Sequence, residues 1–253
     1  MSRLSVSDLC VNLGGRRILE RVSFEAQDGE RLGVVGESGS GKSTLARAVM
    51  RLCPVESGGV SLAGTNLLAL KGGALRHERR RFQLLFQNPY SILDPALTVA
   101  GHLWETLALH AGLRRGPEVA ARIESLLDRV GLPGRGDALP GELSGGQRRR
   151  ACLARVLATH PELLIVDEPT TGLDLMARAG VLSVLAEAAA SVPVFVLITH
   201  DLRDVRALCS RVLVLCDRTV VEDRPVAEFF AGGRSLHPYA AKLIDAERAL
   251  SRT

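Results

Sequence analysis

The chain has 253 residues and a formal net charge of +4, with 46% hydrophobic, 24% charged and only 4% aromatic residues. This is a globular balance rather than a disordered one, with length enough for one large or two modest domains. Dispersed basic residues and few aromatics argue against a nucleic-acid surface, no apolar run approaches the roughly 18 residues of a membrane span, and the polar start Met1-Ser2-Arg3 lacks a signal-peptide core, so a cytoplasmic chain is expected.

Residues 4–11, 21–27 and 59–62 read as short strands of an antiparallel edge. The apolar stretch 31–35 reads as a core strand and runs into Gly36-Glu37-Ser38-Gly39-Ser40-Gly41-Lys42-Ser43-Thr44, followed by helix-forming residues 45–50. That segment fits G-x-x-x-x-G-K-[ST] in its required strand-to-helix setting. The glycines let backbone N–H groups turn around phosphate oxygens, and the helix offers its positive end to the same anion. Lys42 is expected to reach the outer phosphates of a nucleoside triphosphate, and the Ser43 hydroxyl to complete the shell of a Mg²⁺ bridging them.

A further core strand at 82–86 leads to Gln87. From 89 to 141 the strand pattern disappears, while 98–111 and 118–130 carry helical periodicity with Gly112 and Gly131 as stops. An α-helical subdomain, about 88–158, is therefore expected as an insert, with Gln87 at its hinge. The triplets Arg79-Arg80-Arg81 and Arg148-Arg149-Arg150 read first as solvated faces and second as partner contacts. Leu143-Ser144-Gly145-Gly146-Gln147 opens the helical stretch 148–159 and forms a second anion cradle. One nucleotide does not need two cradles, so the economical solution is a dimer in which each chain closes on its partner's nucleotide.

The unbroken apolar run at 163–167 reads as a strand buried on both faces, ending in Asp167 and Glu168. Adjacent carboxylates repel unless a cation or a reacting water uses them, so Asp167 is assigned to Mg²⁺ through water and Glu168 to polarising the attacking water. A strand at 194–199 places His200 at a carboxyl end, where open α/β sheets bind ligands. Its expected task is to hydrogen-bond the γ-phosphate or to hold the water. Residues 211–216 complete the core strands, and 231–253 are expected as a short helical tail after a domain spanning 1–230. The five cysteines show no C-x-x-C pairing, which points to reduced, packed thiols rather than zinc or an iron–sulfur cluster.

In order, the phosphate loop, Gln87, Leu143 to Gln147, the strand ending at Glu168, Gly172-Leu173-Asp174 and His200 resemble the motifs of ATP-binding-cassette (ABC) ATPases. The resemblance runs from about 4 to 230 and implies an α/β P-loop NTPase core with an antiparallel edge and a helical insert. It makes Gln87 a Q-loop residue touching Mg²⁺ and γ-phosphate, Asp174 a D-loop aspartate, and Ser144, Gly145, Gly146 and Gln147 the signature. Leu13, before Gly14-Gly15, stands where the family usually carries an aromatic to stack on adenine. The stretch 86–95 and the tail Leu236-His237-Pro238-Tyr239 resemble importers for peptides and nickel. The implied partners are a second ABC ATPase subunit, membrane permeases and, indirectly, an extracytoplasmic solute-binding protein, at the cytoplasmic membrane face. Another ABC transport ATPase, an amino-acid importer or exporter, is the alternative. A DNA-repair ATPase would need a coiled-coil insertion for which the sequence has no room. A ribosome-associated factor would carry two cassettes.

Overall fold

Alternation and the paired glycines at 14–15 build an antiparallel hairpin, whereas the apolar run at 30–35 and the later apolar runs build parallel strands covered by helices. The structure, a computed structural model, describes residues 2–86, 92–231 and 236–250, with Ala111 and Leu250 described by backbone alone. The expectations for Gln87 and its hinge fall outside the described residues. In chain order the elements are β1 (Leu4–Leu13), β2 (Arg16–Ala26), β3 (Glu30–Val35), α1 (Lys42–Val49), β4 (Ser57–Leu62), β5 (Thr65–Asn66), α2 (Gly72–Glu78), β6 (Phe82–Leu85), α3 (Val99–Ala111), α4 (Pro117–Arg129), α5 (Gly145–Leu157), β7 (Leu163–Asp167), α6 (Leu175–Ser191), β8 (Val194–Ile198), α7 (Leu202–Leu208), β9 (Arg211–Cys216), β10 (Thr219–Pro225), α8 (Val226–Ala231) and α9 (Pro238–Leu250). The fold is α/β, with an antiparallel sheet and a helical region, as expected. Two compact units are present, Met1–Lys71 with Pro193–Thr253, and Gly72–Val192.

The first unit holds the antiparallel strands in the order β2-β1-β4-β5. Gly14 and Gly15, both at positive φ, form the turn that pairs Leu13 with Arg16. In the same unit β3 runs parallel to β8 on one side and β9 on the other, and β10 returns antiparallel to β9. Gly33 in β3 is forced by packing: a Cβ there would lie 2.8 Å from Val205 Cγ1 on α7. Val35, Leu202, Val205, Val212, Val214, Phe229, Ala240 and Ile244 form one buried cluster, so α7, α8 and α9 all seat on these strands.

In the second unit β6 and β7 pair in parallel, Phe82 opposite Leu163 through Leu85 opposite Val166, and β7 is buried throughout. Helix α5 packs against α3, α4, α6 and β6. Thr98 caps α3 and left-handed Gly112 ends it, as side-chain acceptors and Cβ-free residues do at helix termini. Among the described residues no helix is long and apolar enough to cross a membrane.

Arg80 is exposed, as the solvated-face expectation has it, but Arg81 and the second arginine triplet depart from it. Arg81 grips Glu162 with Nε at 2.5 Å and Nη2 at 3.1 Å and also pairs with Glu78. Arg148 donates to Leu143 O at 2.7 Å, Arg150 to Gly131 O at 2.8 Å, and Arg149 is buried. A guanidinium has five donors in a fixed fork, so it ties loops together through their carbonyls where the sequence shows only charge.

Candidate functional site

At the carboxyl end of β3 the chain enters the glycine loop, and α1 starts at Lys42 after Gly41 in a left-handed conformation. A Cβ on Gly36 would lie 2.2 Å from Leu215 O, and one on Gly41 would lie 2.7 Å from Leu19 Cδ2. Only glycine therefore lets the loop lie this close to β9 and β2. Gly39, at positive φ, meets nothing within 4 Å, and Glu37 and Ser38 are exposed, so one face of the loop is open. The buried Ser40 Oγ has no hydrogen-bond partner. Lys42 is 7% exposed and its Nζ donates to Gly36 O at 2.8 Å and Glu37 O at 2.7 Å. Ser43 and Thr44 are half-buried in the first turn of α1, whose leading N–H groups have no partners within the helix. A cradle closed by glycines, an unsatisfied hydroxyl, a buried ammonium and a helix N-terminus fit a phosphate chain.

Two other expected residues share this unit. Thr199 N donates to Val34 O at 3.2 Å, which carries the parallel pairing of β8 with β3 to the strand ends. His200 therefore leaves the sheet at the same carboxyl edge as Gly36, and it is exposed. Leu13 is half-buried at the end of β1, with Arg16 across the hairpin, and the returning strand brings Ile18 and Leu19 against Gly41.

In the second unit β7 ends at Asp167, which is buried, and the chain turns at Glu168, which sits in the left-handed region at φ 49°. A side chain in that region costs about 1–2 kcal/mol, so local contacts must hold it. One of them is Thr171 Oγ1, which donates to Glu168 Oε2 at 2.9 Å. Arg149 supplies two more: Nη1 donates to Pro169 O and Nη2 to Thr171 O at 3.1 Å. Burial lowers the affinity of Arg149 for its proton.

Ser144 and Gln147 form a reciprocal cap on α5, Ser144 Oγ accepting from Gln147 N at 3.2 Å and Gln147 Oε1 accepting from Ser144 N at 2.9 Å. Gly145 and Gly146 occupy the first turn, and a Cβ on Gly146 would lie 3.1 Å from Ala177 Cβ on α6. Asp174 caps α6 by accepting from Ala177 N at 2.8 Å. The signature and Asp174 thus meet at one place, the joint between the starts of α5 and α6. Beside Asp174, Leu175 and Met176 are 80% and 81% exposed.

Also in this unit, Phe86, Ile92, Trp104, Leu109 and Val156 line an open cleft of about 920 Å³. Phe86 is the described residue that immediately precedes Gln87.

A family model described as "ABC transporter" matches residues 19–171. The chain belongs to the ABC transporter family. Among its relatives is the glutathione import ATP-binding protein GsiA of Pectobacterium atrosepticum, 41% identical over 230 residues, which are 90% of this chain and 36% of that protein. The protein of the same name from Escherichia coli is 40% identical over the same shares. The chain therefore spans about a third of the length of these curated relatives. Among solved structures, cbiO1 from Clostridium perfringens, part of the ABC transporter complex cbiONQ, superposes with a TM-score of 0.81 at 25% identity, covering 99% of this chain and 96% of that one. A dimeric post-hydrolysis ATP-binding cassette bound to ADP and Pi superposes at 0.77 and 26% identity, covering 88% and 98%.

As an ABC cassette the chain carries two contributors that motif reading passed over, Arg149 and Thr171. The signal for Arg149 was present: it stands three, four and seven residues before Cys152, Leu153 and Val156, on the buried stripe of α5. Thr171 carries no comparable pattern.

Proposed function

We propose that this chain is the ATP-hydrolysing subunit of an ABC importer with a peptide-class cargo. The observation that carries this reading is the roughly 40% identity, over 90% of the chain, to proteins named for glutathione import. Glutathione is a tripeptide, which favours peptide over nickel between the two cargoes that the sequence leaves open.

In this reading Gly36, Ser38, Gly39, Ser40, Gly41 and Thr44 bind the phosphates, and Lys42 exchanges its loop carbonyls for the outer phosphate oxygens. Glu168, held by Thr171, accepts the proton of the attacking water, and His200 and Gln87 orient that water and the γ-phosphate. Ser43, Gln87 and Asp167 are the oxygen donors that suit Mg²⁺, which when bound neutralises phosphate charge. Leu13 contributes apolar contact to adenine.

Ser144, Gly145, Gly146, Gln147 and Asp174 close on the nucleotide held by a second ATPase chain. The exposure of Leu175 and Met176 beside Asp174 supports this, because two large apolar side chains in water favour coverage. Closure driven by ATP, and release after hydrolysis, are passed to membrane permeases through the helical part of residues 88–158. The cleft beside Phe86 supports a permease contact there. A solute-binding protein delivers the cargo from outside, and the ATPase works at the cytoplasmic membrane face.

Glu168→Gln tests the assignment. It is expected to bind ATP, hydrolyse it at least about 100-fold more slowly and accumulate as a closed dimer. Wild-type turnover by this variant, or turnover by a strictly monomeric chain, would overturn the reading. Uptake of labelled glutathione or oligopeptide against nickel by the reconstituted transporter decides the cargo.

A further inference from the structure

Basic side chains from four separate segments converge on one hollow in the second unit, apart from the acidic pair and the signature. Its volume is about 490 Å³, and its lining includes Arg80, Arg81, His110, Arg122, His160 and Glu162. Arg80 comes from the turn before β6, His110 from the last turn of α3, Arg122 from α4 and His160 from the loop before β7. The lining acid, Glu162, is already gripped by both arms of Arg81. Arg80 has neither a hydrogen bond nor an ion pair among the described residues. Arg122 Nη2 lies 2.8 Å from His160 Nε2 and 3.4 Å from Ala158 O, both neutral acceptors. A guanidinium only donates, so His160 Nε2 accepts and the ring proton sits on Nδ1 as a further donor.

Burial and neighbouring cations hold both imidazoles below their ordinary range, His110 facing Arg155 and Arg80, and His160 facing Arg122 and Arg129. Gathering like charges in a concavity opposes folding, and an anion would convert that repulsion into charge-assisted hydrogen bonds. The hollow is also distant from Asp167. It lies at the amino end of the five-residue strand β7, so roughly 16 Å of strand separates the two at about 3.3 Å per residue.

We propose that this hollow binds a phosphate-class dianion, free or as the phosphomonoester headgroup of a lipid, with Arg80 and Arg122 as charge partners and His160 Nδ1–H as a donor. None of the lining residues belongs to the glycine loop at 36–44, and the proposal does not rest on the proposed function.

The test removes the phosphate loop's own anion binding with Lys42→Ala, or fills the loop with excess ADP in the unaltered chain, and follows histidine resonances by NMR. Inorganic phosphate is titrated against potassium chloride of matched ionic strength. A saturable change with rising pKa at His110 and His160 is expected, weakened about tenfold by Arg122→Ala. Arg80→Gln, which touches no bond that holds the fold, is expected to weaken it similarly. Co-sedimentation with phosphatidylcholine vesicles, with and without phosphatidic acid, is the second arm. Binding in that arm alone, lost in Arg80→Gln, assigns the site to lipid phosphate. Silence in both arms, or binding indifferent to both substitutions, overturns the proposal.

Discussion

Arg149 reaches 22 positions along the chain to Thr171, its Nη2 donating to the threonine carbonyl at 3.1 Å, while the same threonine's hydroxyl holds Glu168 at 2.9 Å. The helix opened by the signature is thus linked through one buried guanidinium to the carboxylate assigned to water activation.

Removing that link has a separable outcome. Arg149→Ala strands the carbonyl of buried Pro169, and a buried polar group left unsatisfied costs about 1–3 kcal/mol, while the carbonyl of exposed Thr171 passes to water. The variant is expected to unfold at lower urea with an unchanged slope and to lose ATPase activity. Arg149→Lys keeps the charge but loses the fork, so it restores only part of both.

Thr171→Ala isolates the second half of the link. With its hydroxyl gone, Glu168 keeps its charge and its place in the chain but loses a partner that fixes its rotamer. The expected result is a fall in kcat of about tenfold, with nucleotide affinity unchanged in a fluorescent-ADP titration.

Gly36→Ala tests the closeness of the phosphate loop to β9. A methyl group 2.2 Å from Leu215 O has backbone on the other side of the clash, so a rotamer change cannot relieve it. A loss of about 1–3 kcal/mol is expected in chemical denaturation. Nucleotide affinity is expected to fall with it, whereas Gly39→Ala, which meets open space at φ 83°, is limited to backbone strain.

Acid is expected to weaken the fold through His110 and His160. Both pKa values lie below the ordinary 6.5 in the folded chain, chiefly through burial. As pH falls below that value the unfolded chain takes up protons first, so the stabilisation is complete above it and is lost toward the folded-state values. Urea midpoints at about pH 7.5 and about pH 5.5 measure this, and His160→Gln is expected to reduce the difference.

Much of the fold was legible from the sequence because β7 and β9 are uninterrupted apolar runs, and both have the expected limits. The start of β2 was less visible: Arg16-Arg17 is polar and enters the sheet because Gly14-Gly15 fixes the hairpin register. Strand β10 opens on strand-forming Thr219-Val220-Val221, but Glu222, Asp223 and Pro225 interrupt the pattern, and its second half is held by pairing with β9. Helix α6 carries no legible period in the sequence because alanines and aliphatics occupy most of its positions and its few polar residues form no stripe. Within the site, the phosphate loop was legible because its glycines obey steric rules. Arg149 was not, because a run of three arginines suggests solvent until the helix phase singles out the buried one.

The order of folding during synthesis is constrained by the same close approach that requires Gly36. Strand β3 is flanked only by strands encoded far downstream, as the bond from Arg31 N to Ser210 Oγ across 179 positions illustrates. A nascent polypeptide that has emerged through α6 therefore holds its phosphate loop against Ile18 and Leu19 of β2 alone, and the contact of Gly36 with Leu215 O forms only once β9 has cleared the ribosome.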